Sequence, residues 1–305
     1  MTYQGGRIME GRLDSNQLTR EYFDSLLLKT RYIDADLAET GFELFGEHFD
    51  TPIATAALSH QDNVHENGMY ELALGARLAG AINFMGMEAY EGELDKVMEA
   101  GAKTVRIVKP MADDADVFAR IAHAKELGVF ALGMDIDHAF DGKGGYDVVT
   151  GLPMKSKSFE QIRAFIEAAG DTPFIIKGVL SPEDACKAYS AGAAGIVVSH
   201  HHGIMDYSVP PLQILPEIVR AVGHKMKIFA DCGIWSGYDA FKALALGADA
   251  VCVGRVLEDP LKEAGAQGVA DKINELTGEM ASVMARTGYR KLAEIDSTCI
   301  VRRQK

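Results

Sequence analysis

Eight short apolar runs, most of them followed by an amphipathic stretch, recur along this 305-residue chain and leave few folds open to it. The runs are TPIATAAL (51–58), GAINFMG (80–86), TVRIVKP (104–110), GVFALGMD (128–135), PFIIKGV (173–179), GIVVSHH (195–201), KIFADCG (227–233) and AVCVGR (250–255). Each is about as long as a strand. Most are continuously apolar, as parallel strands covered on both faces must be. The stretches between them place apolar residues three and four apart, the spacing of one helix face. They stop at Gly80, Gly101, Gly128, Gly170, Gly192, Gly223 and Gly247, where a left-handed C-cap is expected. Asp113-Asp114, Ser158 and Ser181-Pro182 mark helix starts. Eight evenly spaced strands alternating with helices predict a (β/α)8 TIM barrel rather than an open sheet. One domain over residues 1–305 is expected: 1–50 covering the N-terminal face, 51–260 forming the barrel, and 261–305 adding a last helix (NELTGEMASVMART) and a tail.

Composition narrows the partners. Hydrophobic residues make up 48% and charged residues 25%, ordinary for a globular chain. No apolar run approaches the roughly 20 residues of a membrane span, and MTYQGGRIMEGRLDSNQ lacks the basic-then-apolar order of a signal peptide. The net charge is −13, and the short RRQK tail (302–305) is no basic stripe, so neither nucleic acid nor membrane is expected as a partner. Cys186, Cys232, Cys252 and Cys299 form no CxxC pair and read as free thiols in a reducing cytoplasm. The expected ligand is a small molecule.

In such a barrel the chemistry lies where strands end and loops begin. Gly233 and Gly254 end strands 7 and 8 in turns that let backbone amides approach an anion, and Arg255 adds a fork of donors. Each glycine alone is also what a turn requires; together they point to a phosphate site. Lys177 ends strand 5 and points at the mouth, unless its stem carries it outward. Ser199, His200, His201 and His202 end strand 6. Adjacent residues on an extended segment face opposite sides, so three histidines in a row cannot all bind one ion, and no metal is expected. One of them as a general base, held by Asp135 at the end of strand 4, fits better.

IIKGVLSPEDACKAYSAGAAGIVVSHHHG, LPEIVRAVG, FADCGIWSGYDAFKALALGADAVCVGR and MARTGYRKLAEID resemble the FMN-dependent α-hydroxy acid dehydrogenase/oxidase family. The resemblance runs from about Glu43 to Asp296 and is densest from Phe174 onward. It implies an FMN cofactor, a CH–OH oxidoreductase activity and a homo-oligomer, tetramer or octamer. It implies that Lys177 contacts the flavin, that His201 is the active-site base and that Asp135 bonds to it. It further implies that Ser199, Asp231, Gly233, Gly254 and Arg255 lie in the cofactor region, with Ala56 and Ala57 against the ring.

The departures lie mostly on the substrate side. The family's carboxylate-gripping arginine is Ile204 here, its strand 3 tyrosine is missing from Arg106-Ile107-Val108, and its strand 4 threonine is Gly133. A phosphate-touching arginine is Trp235, and the loop from about Ile136 to Lys157 is short and glycine-rich. Arg106, Lys109, His200 or His202 are left as candidates to meet the substrate. The leading expectation is oxidation of a small hydroxy-acid-like substrate. A non-redox FMN enzyme like type 2 isopentenyl diphosphate isomerase, or a flavin binder that has lost catalysis, are the rival readings.

Overall fold

The computed structural model describes residues 13–223 and 225–303. Residues 1–12, 224 and 304–305, which include most of the N-terminal stretch and the end of the RRQK tail, lie outside the described residues. The apolar runs become eight parallel strands: β1 (Ile53–Thr55), β2 (Asn83–Met85), β3 (Thr104–Val108), β4 (Ala131–Asp135), β5 (Phe174–Val179), β6 (Gly195–Val198), β7 (Lys227–Ala230) and β8 (Ala250–Val253). From β2 to β8 each strand pairs with the next in sequence, β8 returns to pair with β1, and β1 and β2 stand at the two ends of the sheet order. At the seam between β1 and β2, Thr55 donates to the Ile82 carbonyl at 3.0 Å and Gly86 to the Leu58 carbonyl at 2.8 Å. The (β/α)8 TIM barrel predicted from the repeat is the fold. Several runs continue past the last paired residue, and these overhangs form the mouth.

Alternation within β3 settles which residues face inward. Val105 and Ile107 join Phe84, Ile175, Val197 and Phe229 in the barrel's inner core. Val108 packs in the layer beneath the helices, and Arg106 lies on that same side. Phe84 and Phe229 meet edge to face with centroids 5.2 Å apart.

The surrounding helices are α1 (Gly68–Leu78), α2 (Glu93–Glu99), α3 (Asp114–Glu126), α4 (Phe159–Ala169), α5 (Pro182–Ala191), α6 (Pro211–Val222), α7 (Gly237–Ala245) and α8 (Glu258–Thr287). Their starts follow from local chemistry. Asp113 caps α3, Ser158 forms a capping box with Gln161 at α4, and Ser181 caps α5 ahead of Pro182. All seven glycines expected at helix ends have positive φ.

The flanking segments differ from expectation. The hairpin Phe42–Leu44/Glu47–Phe49 sends Phe49 against Phe130, just before β4, and so lies at the barrel's N-terminal end. The helix Ser15–Ser25 stands elsewhere. Ser15 donates to the Met205 carbonyl, and Arg20 forks onto Asp239 at 3.1 and 3.0 Å, so the helix packs against the loops after β6 and β7. The last helix begins at Glu258, earlier than its apolar pattern indicates. It is broken at Ala264 and Gly265, where the Glu71 carboxylate accepts the Ala266 N–H at 2.8 Å and restarts it. Strand Ile300–Arg302 pairs antiparallel with Leu26–Leu28.

Arg106 is fully buried in the outer layer. It reaches Glu88 at 2.7 Å, and Glu88 also holds Arg120 at 2.8 Å. Removing one partner of a buried ion pair strands the other charge without water. Glu88→Ala is therefore expected to cost about 3–5 kcal/mol of stability, read as a lowered denaturant midpoint with an unchanged m-value.

Candidate active site

A cavity of about 340 Å³ opens at the C-terminal ends of the strands, within the ~300–1,000 Å³ range of small-molecule sites. Every strand's overhang or following loop contributes to its wall. Ala56 and Ala57 follow β1, Met87 follows β2, Lys109 follows β3 and His138 follows β4. Lys177 lies near the end of β5, His201 and His202 follow β6, Asp231 to Trp235 follow β7, and Gly254 to Val256 follow β8.

One side is a cradle for an anion. Cys232 and Gly233 adopt successive positive φ of 71° and 80°, and a Cβ on Gly233 would lie 2.6 Å from Thr19 Cγ2. A Cβ on Gly254 would approach Ala56 and Leu58 to 3.3 Å. Gly233 is required by its left-handed backbone and close neighbour, and Gly254 keeps the opposite wall tight; turns of this kind let backbone amides approach a ligand. Arg255 lies beside them at the rim, in contact with His202 Nε2. Burial and then Arg255 push the His202 imidazolium down to about 4, leaving a neutral ring near neutral pH. This cradle, backed by the small residues Ala56 and Ala57 just after β1, fits a ligand with one phosphate and a flat ring such as FMN.

At the cavity floor sits a buried cluster of charge. Asp135 is held by Lys109 at 2.6 Å and by Lys177 at 2.8 Å, all three buried. Burial opposes ionisation of Asp135, but Lys177, Lys109 and His201 more than offset it and hold the carboxyl well below the usual range. Burial likewise pulls the Lys177 ammonium down, and Asp135, then Asp137 and Asp231, carry it above the ordinary lysine value. A depressed acid keeps its contribution above its unfolded pKa of about 3.9, and a raised lysine keeps its own below about 10.4. The pair is therefore intact from about pH 4 to 10. Asp135, Asp137 and His201 bring one donor atom each within 4.8 Å of one another. The two ammonium groups on Asp135 already hold the place and sign that a cation would take.

His201 lines the cavity with φ of 49°. Its Nδ1 lies 3.0 Å from Asp137 Oδ1 and 3.6 Å from Asp135 Oδ1. The expected His201–Asp135 hydrogen bond is thus not the one the structure forms, because two lysines engage Asp135. Asp137 escaped the sequence reading, although an acid two residues past the end of β4 was a signal for it. His138 escaped as well. It lines the cavity with its ring 4.7 Å from that of His201, and its Nδ1 is 3.0 Å from Asp147 Oδ2.

Other candidates move. Arg106 does not reach the cavity, because its register turns it toward Glu88. Lys109 does, but it is committed to Asp135. His200 is buried against the N-terminal helix: Gly203 N–H donates to its Nδ1 at 2.9 Å, so its Nε2–H donates to Thr19 Oγ1 at 2.8 Å. Ser199 is fully buried beneath the mouth, accepting from the His201 N–H at 3.0 Å and donating to Asp231 at 3.3 Å, so it shapes the turn rather than lining the cavity. Ile204 is 43% exposed and lies outside the cavity lining. Burial pushes the Cys232 thiol up to about 12, so it is no nucleophile.

The pattern of the family described as FMN-dependent dehydrogenase matches residues 7–169 and 154–302. Glycolate oxidase 1 of Zea mays is 30% identical in an alignment that takes 98% of this chain and 90% of that protein. L-lactate oxidase of Alicycliphilus denitrificans is 48% identical over 40% of the chain, and L-lactate dehydrogenase of Acinetobacter baumannii is 42% identical over 48%. Those two matches span only about a third of the relatives' lengths, 34% and 37%. Among solved structures, a mandelate oxidase variant with the monooxide FMN adduct superposes with a TM-score of 0.87 at 29% identity, covering 99% of this chain and 94% of that one. With the cradle, the buried lysine and the acid-held histidine at the same mouth, the chain belongs to the FMN-dependent dehydrogenase family, and FMN is its cofactor.

Proposed function

We propose that this protein oxidises the CH–OH group of a small hydroxy-acid-like substrate, with His201 as the base. The observation that carries the reading is His201, in the cavity wall with Nδ1 held by a carboxylate at 3.0 Å. A carboxylate only accepts, so Nδ1 carries the proton and Nε2 keeps a lone pair for the substrate's proton. FMN bound in the cavity supplies the acceptor for the other hydrogen equivalent. Lys177 brings a buried positive charge to the mouth. A unit charge about 4 Å away at an effective dielectric near 20 is worth roughly 4 kcal/mol to an opposite charge. Gly233, Gly254 and Arg255 hold the phosphate, and Ala56 and Ala57 leave room for the ring. No helix among the described residues is long and apolar enough to cross a membrane. A cytoplasmic homo-oligomer is the reading in keeping with the free cysteines and the family resemblance, and light scattering of the purified protein tests the assembly.

Three outcomes follow. Arg255→Ala is expected to weaken FMN retention by about 1.5–3 kcal/mol, the scale of a hydrogen bond to a charged group, measured by fluorescence titration of apoprotein with FMN. His201→Ala is expected to keep its flavin and lose about 10²–10⁴-fold in the rate of substrate-driven bleaching without oxygen. A null effect there, with His202→Ala inactive instead, would move the base by one residue.

Glycolate and lactate are expected to be poor substrates. The arginine position holds Ile204, Arg106 faces the outer layer and Lys109 is occupied by Asp135. A small carboxylate desolvated without a charged partner loses several kcal/mol. Anaerobic stopped-flow reduction with a panel of 2-hydroxy acids checks this. Fast, saturable bleaching by lactate would show that another residue, His138 first among them, grips the carboxylate.

A further inference from the structure

We infer that Asp137, and not Asp135, is the positioning residue that fixes the tautomer of His201. The inference rests on the reading of His201 as the base. Three groups compete for His201 Nδ1: Asp137 Oδ1 at 3.0 Å, Lys177 Nζ at 3.3 Å and Asp135 Oδ1 at 3.6 Å. They favour opposite proton placements. A carboxylate requires Nδ1 to carry the proton, whereas an ammonium can only donate and requires Nδ1 to be bare. With Nδ1 bare, a neutral ring carries its proton on Nε2 and the base is lost.

Asp135 is poorly placed to decide this contest. Both its oxygens are engaged, Oδ2 by Lys109 at 2.6 Å and Oδ1 by Lys177 at 2.8 Å. Asp137 is better placed. Its Oδ2 is buried and has no hydrogen-bond partner, so the carboxylate has no competing bond to pull it from the ring.

The backbone is shaped around it. Gly178, the residue after Lys177, has φ of +91°, and a Cβ there would lie 2.4 Å from Asp137 Cγ. The β5–β6 register is interrupted between Lys177 and Val179, and Ile136 N–H donates to the Lys177 carbonyl at 2.9 Å. That irregularity seats Asp137 over the end of β5 and next to His201. A side chain at Gly178 would displace it.

The test is ¹⁵N NMR of histidine-labelled holoenzyme, with the His201 signals assigned by their loss in His201→Gln. The wild type is expected to show a protonated Nδ1 and a bare Nε2. In Asp137→Ala the Lys177 ammonium becomes the nearer partner, and the proton is expected to move to Nε2. Flavin reduction should slow at least 10²-fold, with FMN still bound and the substrate's half-saturation little changed. Asp137→Asn, which conserves volume and removes the charge, should also slow reduction. An unchanged Nδ1-protonated ring in Asp137→Ala overturns the assignment, whatever the rate. Failure of every hydroxy acid to bleach the wild type would instead defeat the oxidoreductase reading, and the NMR result would still decide the tautomer.

Discussion

One buried carboxylate between two ammonium groups organises this active site. Asp135 ends β4, Lys177 lies on β5 and Lys109 follows β3, so the contacts at 2.6 and 2.8 Å tie three neighbouring strands together at the mouth. Such a cluster stands in a barrel only because each charge meets its partners directly; any one alone would face the full cost of desolvation. The triad carries one net positive charge at the cavity floor, a sign suited to an anionic ligand and to negative charge that appears on it. It also removes two residues from other work. Lys109 cannot grip a substrate carboxylate while it holds Asp135, and Asp135 cannot hold His201 while it accepts from both lysines.

The barrel was legible because its period is strong and redundant. Strand length, helix spacing, the caps at Asp113, Ser158 and Ser181 and the terminal glycines all point to one arrangement, so an error in any one would be corrected by the rest. The mouth was legible only to the level of which strand end a residue belongs to. Whether Arg106 or Lys109 faces inward is a one-residue question, and a chain that is apolar on both faces gives no alternation to answer it. His200 and Ser199 were placed near the ligand for the same reason. Their neighbours, Thr19 and the turn at His201, come from contacts that strand position alone does not reveal.

Asp137 was missed for a different cause. Asp135 occupies the place expected of an acid at the end of strand 4, but place along a strand does not give distance. The two carboxylates are two residues apart in sequence but differ by 0.6 Å in reach to His201 Nδ1 (3.0 against 3.6 Å), and they differ more in what else they bind. The deciding features were Gly178 and the register break after Lys177, which read in sequence as ordinary strand-end variation.

The two halves of the site are made of different materials, and this bears on how they diverge. The cofactor side is built from backbone: left-handed turns at Cys232 and Gly233, the close wall at Gly254, and small residues just after β1. Backbone geometry set by strand ends survives changes in surrounding side chains. The substrate side is built from side chains on the loops after β4 and β6, where His138, Asp137 and Val149 stand on one loop and Ile204 on the other. Such loops accept insertions and deletions at little cost. The loop after β4 brings His138 to the cavity wall, while Ile204, on the loop after β6, stays exposed at the surface. Burial and then Lys109 and His201 hold His138 below its ordinary value, so this ring is a weaker cation than a free imidazole. The cavity wall on this side is thus a mixture of imidazole and the apolar side chains of Met87 and Val149, with no arginine fork among its described lining residues other than Arg255 on the cofactor side.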